Sequence, residues 1–109
     1  MASELFKVAL KPGCSNSETK LIDGTSGHSY VILSITICET AGAAETFDLY
    51  VDDNDGGTDH YIYKTQAIGA NETFEHTGRI VIEATDMLGI ITASAADLDV
   101  VVSYLDQTL

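Results

Sequence analysis

Basic residues are scarce: five lysines and arginines stand against 17 aspartates and glutamates, for a formal net charge of −12. A surface of this sign repels phosphate backbones, and no local cluster of lysine or arginine makes an exception, so DNA and RNA are not expected as partners. Adhesion to anionic membranes fails for the same reason. Such charge serves solubility, the spacing of copies in an array, or attraction to a basic protein partner or a divalent cation. Long apolar runs are missing as well, since none approaches the roughly 18 to 20 residues that cross a bilayer. The start, MASELFKVALKPGC, has Glu4 and Lys7 among its apolar residues and lacks the basic and apolar blocks of a secretion signal. The expectation is a chain made in the cytosol, with no membrane partner. Cysteine is limited to Cys14 and Cys38, too few for a disulfide-built scaffold. A bridge between them is possible, but cytosolic synthesis predicts free thiols.

Against these absences stands a composition that folds. With 45% hydrophobic and 20% charged residues, the chain is an ordinary globular domain and not a disordered tail. Its 109 residues support one core and not two. The stretch around which it is organised is 78–105, GRIVIEATDMLGIITASAADLDVVVSYL. Three short apolar runs are parted there by acidic or small-residue turns with no helical period, the pattern of a meander in an all-β core.

Alternation extends that reading along the chain. In 4–10, Phe6, Val8 and Leu10 fall on one side and Leu5, Lys7 and Ala9 on the other. This predicts a strand that Lys11, Pro12 and Gly13 stop, because proline lacks a donor and glycine tolerates positive φ. Cys14 then falls in a loop, and a short pairing run is expected at 20–22 before Asp23 and Gly24 turn the chain. In 28–39, HSYVILSITICE, the expectation puts Val31, Leu33, Ile35 and Ile37 on one face and Tyr30, Ile32, Ser34, Thr36 and Cys38 on the other. Polar residues set regularly between β-branched ones suit a strand and not a helix. Further strands are expected at 46–51 (Phe47, Leu49 and Val51 inward, Tyr50 outward), 61–64, 73–77, 80–83, 87–93 and 98–105. Eight or nine short strands with turn signals at intervals of roughly 8 to 12 residues predict an all-β, antiparallel β-sandwich of jelly-roll-like form. It is expected to be a single domain, with 1–27 as an N-terminal arm or first strand with its loop and 28–109 as the sandwich core.

Motifs that carry chemistry are few. The stretch 52–59, DDNDGGTD, concentrates carboxylates on one loop, and Asp53, Asp55 and Asp59 are its weak candidates for calcium ligands. Counting from Asp53, however, Gly57 falls where an EF-hand needs a ligand, and no glutamate closes the loop. A hairpin tip of Asp, Asn and Gly is first of all a turn, so neither a metal nor a cofactor is predicted. His28, His60 and His76 lack zinc-site spacing. There is no nucleophile elbow and no phosphate-cradling glycine pattern, and Cys38 sits among apolar neighbours where thiol reactivity falls. An enzyme is not expected. Asn71-Glu72-Thr73 matches the glycosylation triplet without a secretory route to use it. Tyr30, Tyr61 and Tyr63 are the aromatic candidates for an interface, and Tyr61 and Tyr63 are read as sharing one face.

The order of these segments carries a resemblance. A strand with ITI is followed by a small-residue turn, a TFDLYV strand, an acidic glycine loop and the tail NETFEHTGRIVIEATDMLGIITASAADLDVVVSYLD. Within that tail come an apolar strand at 80–83, a turn ending in Asp86, an Ile-rich strand at 89–93, an Ala-Ser turn at 94–97 and a valine-rich last strand ending in Ser103 and Tyr104. Over about residues 31–106 this resembles the small virion proteins of tailed double-stranded-DNA bacteriophages. The resemblance implies a β-sandwich that decorates or cements the capsid, as a homotrimer at sites of local threefold symmetry, with the major capsid protein as partner. Its place would be the outer capsid surface of the virion, after synthesis in the host cytoplasm. Phe6, Val8 and Leu10 would then lie on an arm that adds a strand to a neighbour or to the shell. The alternative is a tail or neck module that binds a host-surface glycan through Tyr61 and Tyr63.

Overall fold

The computed structural model describes residues 3–54, 56–95 and 97–108. Among the described residues there are nine strands and no helix: β1 (Ser3–Cys14), β2 (Thr19–Asp23), β3 (His28–Glu39), β4 (Glu45–Asp52), β5 (Asp59–Ile68), β6 (Thr73–His76), β7 (Ile80–Glu83), β8 (Met87–Thr92) and β9 (Leu98–Thr108). They form two antiparallel sheets. The five-stranded sheet runs β1-β9-β3, with β7 and then β6 along the far side of β3, and the four-stranded sheet runs β2-β8-β4-β5. Strands adjacent in the chain therefore mostly pair with distant ones, the interleaved order of a jelly-roll-like sandwich.

The core lies between the sheets, where inward residues of β3 (Ile32, Ile35, Ile37) and β9 (Leu98, Val100, Val102) meet those of β4 (Phe47, Leu49) and β8 (Leu88, Ile90). All of these are buried. Inward β-branched and leucine side chains on every second residue of each strand are what drives the sheets together.

Three local features depart from simple alternation. In β3 the register against β9 shifts between Ile32 and Ser34, so Leu33 is an extra residue. One extra residue reverses the phase of a strand. Tyr30 and Ile32 therefore point inward before the bulge and Ile35 and Ile37 after it, while Val31 and Leu33, expected with them, do not join the core. In β1 the strand does not stop at Lys11: a bulge between Lys11 and Cys14, with Gly13 at φ +64°, carries it past Pro12. Cys14 thus closes a strand and is buried, and both cysteines are free thiols.

The third departure is Tyr50. It points away from the core as expected, yet it is 2% exposed. Its ring lies over Gly89 of the neighbouring β8, so close that a Cβ at position 89 would come within 2.9 Å of it. Replacing Gly89 with valine is expected to push the ring off the sheet and lower the melting temperature. The near-ultraviolet circular dichroism of the tyrosines checks this, and an unchanged spectrum would contradict the packing.

Candidate functional site: the outer face of the five-stranded sheet

Register places the exposed apolar residues. Across the outer face, one row runs Phe6, Leu105, Val31, Val81 through β1, β9, β3 and β7; the next runs Val8, Ser103, Ser34; a third runs Leu10, Val101, Thr36. Phe6 is 81% exposed, Leu10 65%, Val81 58% and Val8 53%. A groove of about 410 Å³ opens among Phe6, Lys7, Val8, Leu33, Ser103 and Tyr104. No charged residue interrupts these rows. Acid returns beyond them, with Glu4 and Glu83 at one end, Asp99 at the other, and Glu75 of β6 beside Thr36 where the third row continues past β3. An antiparallel sheet with one face in water alternates apolar-in and polar-out. Here most outward positions in these rows are apolar and the rest, Ser34, Ser103 and Thr36, are uncharged, which is the composition of a face that another surface covers.

The sequence pointed to Phe6, Val8 and Leu10, and they do share this face. Val81, Val101 and Leu105 extend it. Their signal was present, because each is an outward-phase residue of an alternating strand and yet apolar. Tyr30 lies elsewhere: it is buried, stacked on His28 at 5.8 Å and edge-on to Tyr104 at 6.0 Å. The protein's own core occupies it.

Tyr61 and Tyr63 do not share a face. Tyr50 pairs with Tyr61 and Leu49 with Tyr63, so Ile62 is an extra residue in β5 that turns the two rings to opposite sides. Tyr61 is 48% exposed on the outer side of the four-stranded sheet, edge-on to Tyr50, with Lys64 Nζ 4.3 Å from its ring. Tyr63 packs against Phe74 at 4.9 Å, and its hydroxyl and His76 Nδ1 are hydrogen-bonded at 2.7 Å. The two rings form no common platform.

The acidic tip disperses in the same way. Asp53 Oδ2 lies 3.4 Å from His60 Nε2 while its carbonyl accepts from Gly57 N. Asp59 pairs across the ladder with Asp52 instead, and Asp55 lies outside the described residues. Among the described residues no group of three or more His, Cys, Asp or Glu is placed to hold a metal ion. Burial, then Asp52 and Glu18, raise the Asp59 carboxyl above its ordinary pKa. Glu18 also accepts the hydroxyl of Tyr50, whose own pKa is raised by burial first and by that bond next.

A clasp missed from the sequence fixes β1 to the sheet. Asp106 of β9 is buried and accepts from Lys7 Nζ of β1 at 3.0 Å and from His28 Nδ1 of β3 at 2.8 Å. The bond from His28 and then that from Lys7 hold the Asp106 carboxyl below its ordinary 3.8, against the opposing pull of burial. A depressed acid contributes stability above its unfolded pKa and loses it as pH falls through the folded value. Acidification below 3.8 is therefore expected to weaken the fold and release β1, and Asp106→Asn to flatten that dependence. Asp59, shifted the other way, contributes in the opposite sense, losing its share as pH rises through its raised value. Thermal melts across pH 2 to 7, wild type beside Asp106→Asn, check this; parallel pH profiles for the two would contradict it.

Fold and surface together define a jelly-roll-like β-sandwich with one apolar outer face. No family model matches the sequence, and no curated protein matches it. Solved structures do share its fold. A chain of the disulfide-linked pili that form Bacillus endospore appendages is 12% identical, with a TM-score of 0.60 over 100% of this chain and 91% of that one. A chain of the acid-stable capsid of a Helicobacter pylori bacteriophage is 14% identical, with a TM-score of 0.54 over 100% of this chain and 94% of that one. A chain of a cyanophage capsid is 15% identical, with a TM-score of 0.50 over 99% of this chain and 86% of that one. At these identities what is shared is the fold.

Proposed function

We propose that this chain is a structural protein of a bacteriophage virion, without enzymatic activity, that decorates or cements the head. It binds the outside of the shell non-covalently at sites between capsomers. Its partners are the major capsid protein and further copies of itself, in the homotrimer that the sequence resemblance implies. The observation that carries this reading is the uncharged apolar face spanning β1, β9, β3 and β7 in a chain of net charge −12. A solvated face gains nothing from such residues, whereas a subunit contact gains the transfer of each from water. The acidic remainder keeps the other surfaces apart and the decorated particle soluble. The resemblance in sequence order and the shared fold with two phage capsid chains support the same reading.

Heads assembled without the protein are expected to rupture at a lower temperature than heads to which it has been added back. Equal rupture temperatures would overturn the cement role. The glycan-binding alternative receives no support from Tyr61 and Tyr63, which face opposite ways.

A further inference from the structure

The four sheet margins are unequally guarded. Exposed edge strands invite pairing with another chain, and proteins discourage it with short strands, bulges and charge. On the four-stranded sheet, β2 has five residues and a register shift, and β5 has two register shifts and a left-handed Thr65. On the five-stranded sheet, the β6 and β7 margin is split into strands of four residues each. β1 differs from all of these. Its pairing with β9 runs without interruption from Ser3 to Lys11, its other edge bears no strand among the described residues, and Pro12 and its bulge come only at the far end.

β1 is also the one described strand with a net positive charge, two lysines against one glutamate. In a chain of net charge −12 it is where two copies repel each other least. Over residues 6–10 its sequence is self-complementary when reversed, with Leu5 meeting Lys11 and Glu4 meeting Pro12 outside that stretch. Centred on Val8, antiparallel pairing sets Val8 opposite Val8 of a second copy and Phe6 opposite its Leu10, and brings Lys7 to its Ala9. Centred on Lys7, it would instead oppose two lysines and set Glu4 against Leu10.

We propose that β1 pairs antiparallel with β1 of a second copy of this chain, about a twofold axis at Val8. The two five-stranded sheets then form one, and their apolar outer faces become continuous. An isologous contact joins two chains, so it would link threefold clusters to one another and not build them. The proposal stands on the edges of the fold and does not depend on where the protein is used. A chain that ignores capsids could still pair in this way.

The test is disulfide trapping with Val8→Cys in a Cys38→Ser background, with Ala67→Cys on the β5 edge as the control. Directly opposed residues of an antiparallel pair lie about 4.5 to 5.5 Å apart at Cα, within disulfide range. The expected result is a cross-linked dimer from Val8→Cys at about tenfold the yield of the control. Sedimentation of the uncross-linked protein should show a concentration-dependent dimer that Val8→Lys dissociates. Equal yields at the two positions would overturn the proposal. So would a dimer that forms but does not cross-link at position 8, or a strict monomer at every concentration.

Discussion

Replacing Glu39 with alanine is expected to lower the melting temperature by about 10 °C, and replacing it with glutamine by less. Glu39 ends β3 at 1% exposure, and among the described residues it has no ion-pair partner. Its carboxylate is held by backbone N–H groups alone: Ala41 at 2.9 Å, Gly42 at 2.8 Å, Ala43 at 3.2 Å and Asn71 at 3.1 Å. One side chain thus organises both the turn from β3 to β4 and the turn from β5 to β6. Alanine would leave these donors without acceptors in a place water reaches poorly, which costs more than the bonds gain. Glutamine keeps one oxygen, but turns an N–H toward donors on the other side.

The N–H of Asn71 foremost, and the other three against the pull of burial, hold the Glu39 carboxyl below its ordinary 4.5. Its contribution is therefore complete above 4.5 and fades as pH falls through the lower folded value. The gap between wild type and Glu39→Gln should narrow in acid, and melts at pH 7 and pH 3 check it. A gap that stays constant would mean that the charge is not what holds the turns.

The second large effect concerns attachment and leaves the fold alone. Replacing Phe6, Val8 and Leu10 together with serine is expected to weaken binding to the shell by about a hundredfold or more. The melting temperature should change little. Each of the three side chains is more than half exposed in the free protein, so folding draws little from it, while a covering surface would remove it from water. Loss of roughly 1 to 1.5 kcal/mol at each position already gives that factor. Tyr61→Ala, on the other sheet, serves as the matched control and is expected to bind as wild type does. If the triple variant and wild type saturate shells at the same concentration, the apolar face is not the contact.

The strands that could be read from the sequence are those whose two faces differ in polarity. In β9, Asp99 and Ser103 fall between apolar residues, and the buried positions Leu98, Val100 and Val102 follow directly. β3 resisted the same treatment around Leu33. Val31, Ile32 and Leu33 are consecutive apolar residues, so nothing local marks where the phase reverses; the bulge is set by pairing with β9. The burial of Tyr50 was hidden because it depends on Gly89 in another strand. Tyr61 and Tyr63 look coplanar by counting, and only the pairing with Leu49 and Tyr50 reveals the extra residue between them.

The buried acids Glu39 and Asp106 read as strand-end polar residues. Their partners are turn N–H groups in one case and Lys7 and His28, far away in the chain, in the other. By contrast the outer face of the five-stranded sheet was half legible. Phe6, Val8 and Leu10 declare themselves in alternation, and register adds Val81 and Val101 beside them.

Hydroxyl-radical footprinting of the protein, free and bound to head shells, tests most directly whether that face is the one that docks. Phe6, Leu10 and Val81 are exposed in the free chain, as is Tyr61 on the opposite sheet. On the shell, oxidation is expected to fall sharply at Phe6, Leu10 and Val81 and to stay unchanged at Tyr61. Protection of Tyr61 with Phe6 and Leu10 still oxidised at the free rate would contradict the account.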